Sequence, residues 1–130
     1  MRNEKVEMEK RELSVDNQIQ TQSFEFSVRV VNLYKHLVKS HKEFDLFRQF
    51  LRSGTSVGAN VAEAQTAQSY ADFHAKMYIA LKEASETQYW IRLFYRTEYL
   101  NDHEYQSIKK DIDSIVSLLM AITKSSKSDR

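Results

Sequence analysis

Hydrophobic residues recur every three or four positions along much of the chain, and this spacing predicts amphipathic α-helices. The first helix is predicted from Ser23, a suitable N-cap residue, to Lys42. Its apolar stripe comprises Phe26, Val30, Leu33 and Leu37. The last helix is predicted after a short turn at positions 100–102, and its stripe has the spacing of an antiparallel bundle seam. That stripe comprises Tyr105, Ile108, Ile112, Ile115, Leu119 and Ile122.

Two further helices are predicted between these. The second runs from Asp45, its predicted cap, to Ala67; it begins with bulky residues and then becomes rich in small ones. The third runs from Ser69, its predicted N-cap, to Tyr99. It is apolar around so much of its circumference that we expect more than one side to be buried. Its stripe comprises Phe73, Met77, Ala80, Ala84, Ile91 and Phe94.

These four stretches and their short connections predict an all-α, up-down-up-down antiparallel four-helix bundle over residues 23–124. The chain has no proline and two glycines, which leaves little of the turn chemistry that a strand-rich fold needs. Residues 1–22 are charged and rich in Gln, a composition that predicts a flexible N-terminal arm. Residues 125–130 are expected to form a frayed C-terminal tail.

The composition limits the chemistry that the chain can carry. None of the 130 residues is cysteine, which excludes disulfides, thiolate zinc sites and thiol catalysis. Residues 1–20 contain no apolar signal-peptide core, and no apolar run approaches the ~20 residues that span a bilayer. We therefore expect a cytoplasmic protein that does not enter a membrane. Because the net charge is +1, nucleic-acid binding would need local clustering of basic residues.

The second helix carries two neighbouring ridges. Gly54, Gly58 and Ala62 are spaced four apart and predict a groove where another backbone packs closely. A polar ridge beside them is predicted to face two carboxylates of the third helix. This predicted polar cluster comprises Ser56, Asn60, Glu63, Glu83 and Glu86. We interpret it as a buried knot that fixes the helix register, because buried polar groups must be paired.

A carboxylate metal site at Glu63, Glu83 and Glu86 is the alternative interpretation of the same residues. Facing carboxylates from two helices could bind a cation or act as a general base. However, the di-iron helical bundles carry Glu-x-x-His pairs, and this chain has none. We therefore expect neither a resident metal nor a cofactor.

The first helix carries a basic series, Arg29, Lys35, Lys39 and Lys42, with no acidic residue between its ends. Such a series predicts contact with nucleic-acid phosphates, and in an oligomer its field would repeat around the assembly. The alternative interpretation is an ordinary solvated face of a bundle helix.

An enzymatic alternative uses Arg29 and His36, whose spacing matches the loose Arg–His signature of a helical RNase superfamily. In such an enzyme His acts as general acid and base, and Arg stabilises phosphate charge. Arg96 and His103 match the same spacing, which shows that the signature arises easily by chance. We therefore expect no enzymatic activity.

Aromatic residues are concentrated in the third helix: Tyr78, Tyr89, Trp90, Tyr95 and Tyr99. They could stack on nucleic-acid bases. At helical spacing they are more typical of a core or a subunit interface, where Tyr and Trp act as anchors. We favour the interface interpretation.

The small-residue helix and its successor resemble a known family. The residues that carry the resemblance are Asn60-Val61-Ala62-Glu63, Asp72-Phe73, the segment 79–86 (IALKEASE) and Tyr89-Trp90. Through these residues the chain resembles the bacterial four-helix bundle proteins related to those encoded in 23S ribosomal RNA intervening sequences. The resemblance covers roughly residues 24–120. A related branch comprises the accessory variability proteins of diversity-generating retroelements, which are strongly basic, whereas this chain is nearly neutral.

The resemblance implies an up-down bundle that assembles as a ring, most often a homopentamer. In the related branch it implies binding of nucleic acid and of a reverse transcriptase. Most members of the family have no established activity. We therefore expect a non-enzymatic, self-assembling bundle that acts as a scaffold or as a binding module for RNA or a nucleic-acid-processing partner.

Overall fold

A computed structural model describes the backbone of residues 4–128 and the side chains of residues 4, 6–7 and 15–124. The helices are α1 (Glu4–Ser40), α2 (Phe44–Ala64), α3 (Tyr70–Arg96) and α4 (Asp102–Ser128). Each packs against the next one along the chain, and α1 also packs against α4, so that α1 lies diagonally across from α3. This confirms the predicted all-α, up-down-up-down antiparallel four-helix bundle.

The first helix begins much earlier than predicted. It starts at Glu4, so residues 4–22 of the predicted arm are helical, and residues 1–3 lie outside the described chain. Ser23 is not an N-cap: it is buried within α1, and its Oγ donates to the Gln20 carbonyl oxygen at 3.3 Å. The physical reason is Ile19, which is fully buried and extends the apolar stripe about two turns before Phe26.

The starts of α2 and α3 differ in their capping. Ser69 caps α3 as predicted, because its Oγ accepts a hydrogen bond from the Asp72 backbone N–H at 3.1 Å. Asp45 does not cap α2. That helix begins at Phe44, and the preceding Glu43 makes no side-chain capping bond. Asp45 lies in the first turn, where its negative charge favours the positive end of the helix dipole.

The turn between α3 and α4 is fixed by backbone and side-chain hydrogen bonds. Glu98 adopts a left-handed conformation with φ 70°, and the Tyr99 N–H donates to the Phe94 carbonyl at 2.8 Å, as in a Schellman turn. Asn101 and Glu104 then form a capping box. The Asn101 Oδ1 accepts from the Glu104 N–H at 2.8 Å, and the Glu104 Oε1 accepts from the Asn101 N–H at 2.9 Å.

The core takes its side chains from all four helices. Its aromatic centre lies where Phe47 and Phe94 pack edge to face, with ring centroids 5.4 Å apart. The predicted stripe of α4 is buried at Ile108, Ile112, Ile115 and Leu119. This helix continues to Ser128, which includes most of the predicted tail, and residues 129–130 lie outside the described chain. Within residues 4–128, no helix has a stretch long and apolar enough to cross a bilayer.

Candidate functional site

The glycine ridge of α2 packs against α1. A Cβ atom at Gly54 would lie 2.8 Å from Cγ2 of Val30, and one at Gly58 would lie 3.0 Å from the carbonyl oxygen of Ser23. Real Cβ atoms essentially never make contacts below 3.0 Å, and a contact of 3.0 Å requires its neighbour to shift by a few tenths of an ångström. Ala62, the third residue of the predicted ridge, is exposed. The close approach of the two helices is therefore centred on Gly54 and Gly58.

The polar ridge of α2 does not form the predicted cluster. The Ser56 Oγ donates to the Arg52 carbonyl oxygen at 2.6 Å, and the Asn60 Nδ2 donates to the Ser56 carbonyl oxygen at 2.8 Å. Both side chains thus bind the backbone of their own helix. Glu63 accepts from the Nζ of Lys76 at 3.1 Å, further along the α2–α3 contact than the two carboxylates it was predicted to join. The predicted set of five residues is therefore not brought together.

Arg52 is the α2 residue that meets the two carboxylates of α3. Its Nη2 donates to both carboxylate oxygens of Glu86, at 2.7 and 2.8 Å, and its Nη1 lies 3.2 Å from the Oε1 of Glu83. Trp90 adds a hydrogen bond from its Nε1 to the Oε2 of Glu86 at 3.0 Å. We call Arg52, Glu83, Glu86 and Trp90 the Arg52 cluster.

The Arg52 cluster sets one guanidinium against two carboxylates. The hydrogen bond from Trp90 lowers the pKa of Glu86, burial opposes that shift, and the contact with Arg52 adds to it. The hydrogen bonds to Glu86 and then Glu83 raise the pKa of Arg52. Arg52 and Glu86 therefore both favour their charged forms, as in an ion pair that fixes the register of two helices.

The geometry does not assemble the alternative metal site. Glu63 pairs with Lys76, whereas Glu83 and Glu86 pair with Arg52. In the part of the chain that the structure describes, no group of three or more His, Asp or Glu side chains is arranged to hold a metal ion. One buried oxygen, the Oε1 of Glu83, makes no hydrogen bond although it lies beside Arg52.

Two hydroxyl groups complete the contact between α2 and α3. The Oγ1 of Thr87 lies 2.9 Å from the Oγ of Ser53 and 2.8 Å from the carbonyl oxygen of Glu83. Both residues are fully buried. Since buried hydroxyls that lose their partners are costly, this pair also favours one helix register.

One residue of the basic series binds α4, and the other three are exposed. Arg29 is anchored to α4: its Nη1 donates to Asp111 Oδ2 at 2.6 Å, and its Nη2 donates to Ser107 Oγ. Its guanidinium charge is therefore compensated within the bundle. His36 also faces α4, with its Nε2 3.9 Å from Glu104 Oε2. The proposed RNase pair thus lies at a helix contact, about 10 Å apart along α1.

The three lysines of the series are exposed. Lys35 and Lys39 lie on the side of α1 that faces away from the bundle, and Lys42 lies in the connection to α2. None of them has an ion-pair partner among residues 4–124 whose side chains are described. We call the exposed side of α1 from Phe24 to Lys39, together with Lys42, the outer face of α1.

The aromatic residues predicted for the third helix are divided between the core and the surface, and Tyr99 lies in the turn after α3, which ends at Arg96 and not at Tyr99. Tyr99 packs edge to face on Phe47, with centroids 5.1 Å apart. Tyr95 stacks on Tyr105 of α4 at 4.0 Å. Tyr78 and Tyr89 remain about half exposed, and Trp90 is held in the Arg52 cluster.

An exposed apolar patch accompanies Tyr78. It also includes Ile79 and Met120, which border a groove of about 820 Å³ between α3 and α4. A second groove of about 590 Å³ lies between α1 and α4, beside the contact made by Arg29. Both grooves are open surface features of the bundle.

Arg52 and Lys76 were not predicted, although the sequence contains a signal for each. Arg52, Ser56 and Asn60 are one turn apart, so Arg52 continues the polar ridge toward the start of α2. In an antiparallel pair, the start of α2 must meet the later part of α3, and Glu63 must meet its earlier part. The antiparallel arrangement therefore predicts from the sequence that Arg52 pairs with Glu83 and Glu86, and that Lys76 pairs with Glu63.

The comparisons with known proteins agree with the fold. The sequence profile of the 23S rRNA-intervening sequence protein family matches residues 15–121. A solved structure with 55% sequence identity and a TM-score of 0.82 covers 85% of this chain and 98% of its own. It is described as a protein with unknown function from the S23 ribosomal protein family of Bacteroides thetaiotaomicron VPI-5482. No curated protein matches the chain.

The family match includes α2, α3 and nearly all of the described core, while the first eleven residues of α1, positions 4–14, precede it. The residues that suggested the resemblance, from Asn60 to Trp90, lie inside the matched region. The chain belongs to the 23S rRNA-intervening sequence protein family.

Proposed function

We propose that this protein is a non-enzymatic, self-assembling helical bundle that binds RNA through the outer face of α1. The observation that carries the proposal is the set of three exposed lysines, Lys35, Lys39 and Lys42, without ion-pair partners in the described chain. The family resemblance implies binding of nucleic acid in a related branch, which supports RNA as the ligand. The proposed location is the cytoplasm, where such RNA is present.

The lysines of the outer face of α1 differ from the paired cations of the bundle. Arg29, Arg52 and Lys76 each have a carboxylate partner, so a phosphate would have to displace an existing contact. The lysines of the outer face of α1 have only water and salt ions to release. Release of counterions from RNA makes such binding favourable and strongly salt-dependent.

Self-assembly would multiply this modest charge. The patch of Tyr78, Ile79 and Met120 leaves three large hydrophobic side chains about half exposed, and burial against a second copy would remove them from water. The family resemblance implies a ring, most often of five copies. In a ring the lysines of each protomer would repeat around the assembly, and their fields would add.

The binding proposal is tested with the double variant Lys35→Glu plus Lys39→Glu. We expect it to weaken binding to a labelled 23S rRNA fragment and to reduce the dependence of affinity on salt, measured by fluorescence anisotropy. The matched control is Lys82→Glu plus Lys110→Glu, which makes the same charge change at two exposed lysines of α3 and α4. Equal losses in both double variants would show a general charge effect and contradict the proposed face.

The assembly proposal is tested by light scattering on the same samples. We expect the wild type to have the mass of an oligomer, and Ile79→Glu plus Met120→Glu to lower that mass without a change in helix content. A monomeric wild type would contradict self-assembly. If the double variant leaves the oligomer mass unchanged, the subunit interface does not lie at this patch.

A further inference from the structure

Phe24 is the most exposed of the large hydrophobic side chains described, with 64% of its surface accessible. Ser23 and Phe26, close to it in sequence, are buried, whereas Glu25 between Phe24 and Phe26 is exposed. The helix therefore turns this ring outward while it buries the residues that hold the bundle together. A single exposed hydrophobic residue is common and identifies nothing by itself. Its position relative to the lysines is what carries the inference.

Phe24 and the two helical lysines share one side of α1. The helix is continuous from Glu4 to Ser40, and each residue advances it by 100° and ~1.5 Å. Position 35 is therefore rotated by only about 20° from position 24 and lies ~16 Å further along the axis. Position 39 is rotated by about 60° and lies ~22 Å along. Val28, which is also exposed, lies between them on the same side.

The charged side chains on this side of the helix are basic. From position 26 to the end of the helix, α1 contains no acidic residue. Glu25 follows Phe24 directly, but it is turned about 100° away around the helix. Single-stranded nucleic-acid sites combine aromatic rings with cations, with a base on the ring and phosphates on the cations. The outer face of α1 has both, and its lysines have no ion-pair partner in the described chain.

We propose that a single-stranded segment of RNA lies along the outer face of α1, with one base stacked on Phe24 and the following phosphates on Lys35 and Lys39. This inference rests on the proposed RNA binding and names the form of RNA that the face takes. Bases within a duplex are already paired and stacked on one another, so the ring has a free base face only in an unpaired segment. The lysines, in contrast, can contact the phosphates of either form.

A second copy of this chain is the competing occupant, because an exposed Phe can also anchor a subunit contact. The surrounding charge favours RNA: the three lysines have no ion-pair partner in the described chain, and a polyanion supplies the negative charge that neutralises them. The two occupants make different predictions, because only the subunit contact alters the mass of the protein.

The experiment compares three substitutions of Phe24 in the full chain. Affinity for an unstructured, labelled RNA oligonucleotide is measured by fluorescence anisotropy across a salt series. We expect Phe24→Ala and Phe24→Leu to weaken binding by about 5- to 100-fold, because both remove the ring. Phe24→Tyr keeps the ring and should stay within a few-fold of the wild type. The salt dependence should not change in any of them, because no charge is removed.

Two controls separate stacking from other effects. Phe44→Ala removes another exposed phenyl ring, from the first turn of α2, and should leave affinity unchanged. A fully paired RNA duplex of the same length should bind the wild type and Phe24→Ala equally. Because Phe24 is exposed, all three Phe24 variants should keep the helix content and unfolding midpoint of the wild type.

Each contrary outcome has a distinct meaning. If the wild type binds, the lysine double variant weakens binding and Phe24→Ala does not, then the stacking inference is overturned while the proposed function stands. If Phe24→Ala changes the mass in light scattering, Phe24 is a subunit contact and the inference is overturned. If the wild type binds no RNA, the inference falls together with the proposed function. Equal loss in Phe24→Tyr and Phe24→Ala also contradicts stacking.

Discussion

The two sides of the bundle are held by different kinds of contact. α2 packs against α1 through Gly54 and Gly58, and against α3 through buried hydroxyls and the Arg52 cluster; we call these contacts the α2 seams. The α1–α4 seam relies on Arg29 and Asp111, both more than a third exposed, beside an open groove. Arg52 is itself 52% exposed, so the α2 seams differ from the α1–α4 seam through the glycine contacts and the buried hydroxyls. Close packing fixes helix positions more strictly than solvated ion pairs do.

This difference explains how α1 can serve both the fold and a ligand. Its inner side is fixed by the α2 seams, where a change of one methyl group creates a collision. Its outer face does not contribute to the packing between helices, so Phe24, Lys35 and Lys39 are accessible to a ligand. Substitutions on the two sides should therefore separate stability from binding, and the α2 seams should be the more sensitive to change.

The largest expected effect is that of Gly58→Leu. The Cβ atom alone would lie 2.9 Å from Ser27 Oγ and 3.0 Å from the Ser23 carbonyl oxygen, and a backbone atom cannot move aside as a side chain can. We expect a loss of about 2–3 kcal/mol in the free energy of unfolding, measured by urea denaturation. Ala59→Leu, at an exposed position of the same helix, is the control and should change it little. Equal effects of the two would contradict the close packing of the α2 seams.

An intermediate effect is expected from Glu86→Gln in the Arg52 cluster. The pKa of Glu86 is lowered in the fold, so its contribution is fully present above the ordinary pKa of about 4.3–4.5 and is lost as pH falls through the lowered value. The wild type should therefore lose stability on acidification below about pH 5. The variant should show a shallower loss in unfolding experiments across this range.

Glu63→Gln is the matched control for this pH dependence, because Glu63 is an exposed carboxylate at the other end of the same seam. It should leave the acid loss close to that of the wild type. If Glu86→Gln follows the wild-type pH profile, the Arg52 cluster does not contribute stability through the charge of Glu86.

The smallest expected effect belongs to the α1–α4 seam. Asp111→Asn removes the charge that faces Arg29 while it keeps the shape of the side chain. Because the pair is solvated, we expect a loss below about 1 kcal/mol in the free energy of unfolding. A loss as large as that of Gly58→Leu would show that this seam constrains the bundle as strongly as the α2 seams, and would remove the contrast between them.

The bundle was predictable because its signal is repeated along every helix. The α4 stripe of Ile108, Ile112, Ile115 and Leu119 is buried throughout, as its spacing indicates. The start of α1 was not predicted, since the polar residues around Ile19 hide one buried residue that extends the stripe. The position of a helix end depends on a few local contacts, whereas a hydrophobic stripe is indicated by many residues together.

The partners of charged residues were harder to predict than the helices. Glu83 and Glu86 were assigned to a polar cluster with Asn60, but their partner is Arg52, because contacts across two helices depend on their relative rotation. Sequence spacing places residues on a common face of one helix and leaves open which residue of the next helix they meet. The exposure of Phe24 likewise follows from the rotation of α1 within the bundle.

The central claim, that the free lysines of α1 contact RNA phosphates, is tested most directly by the salt dependence of wild-type binding. Affinity for an unstructured RNA oligonucleotide would be measured from 50 to 200 mM salt. With three lysine–phosphate contacts for each protomer, log K is expected to fall with log salt with a slope of about −2. A slope near zero, or no binding at the lowest salt, would contradict the account.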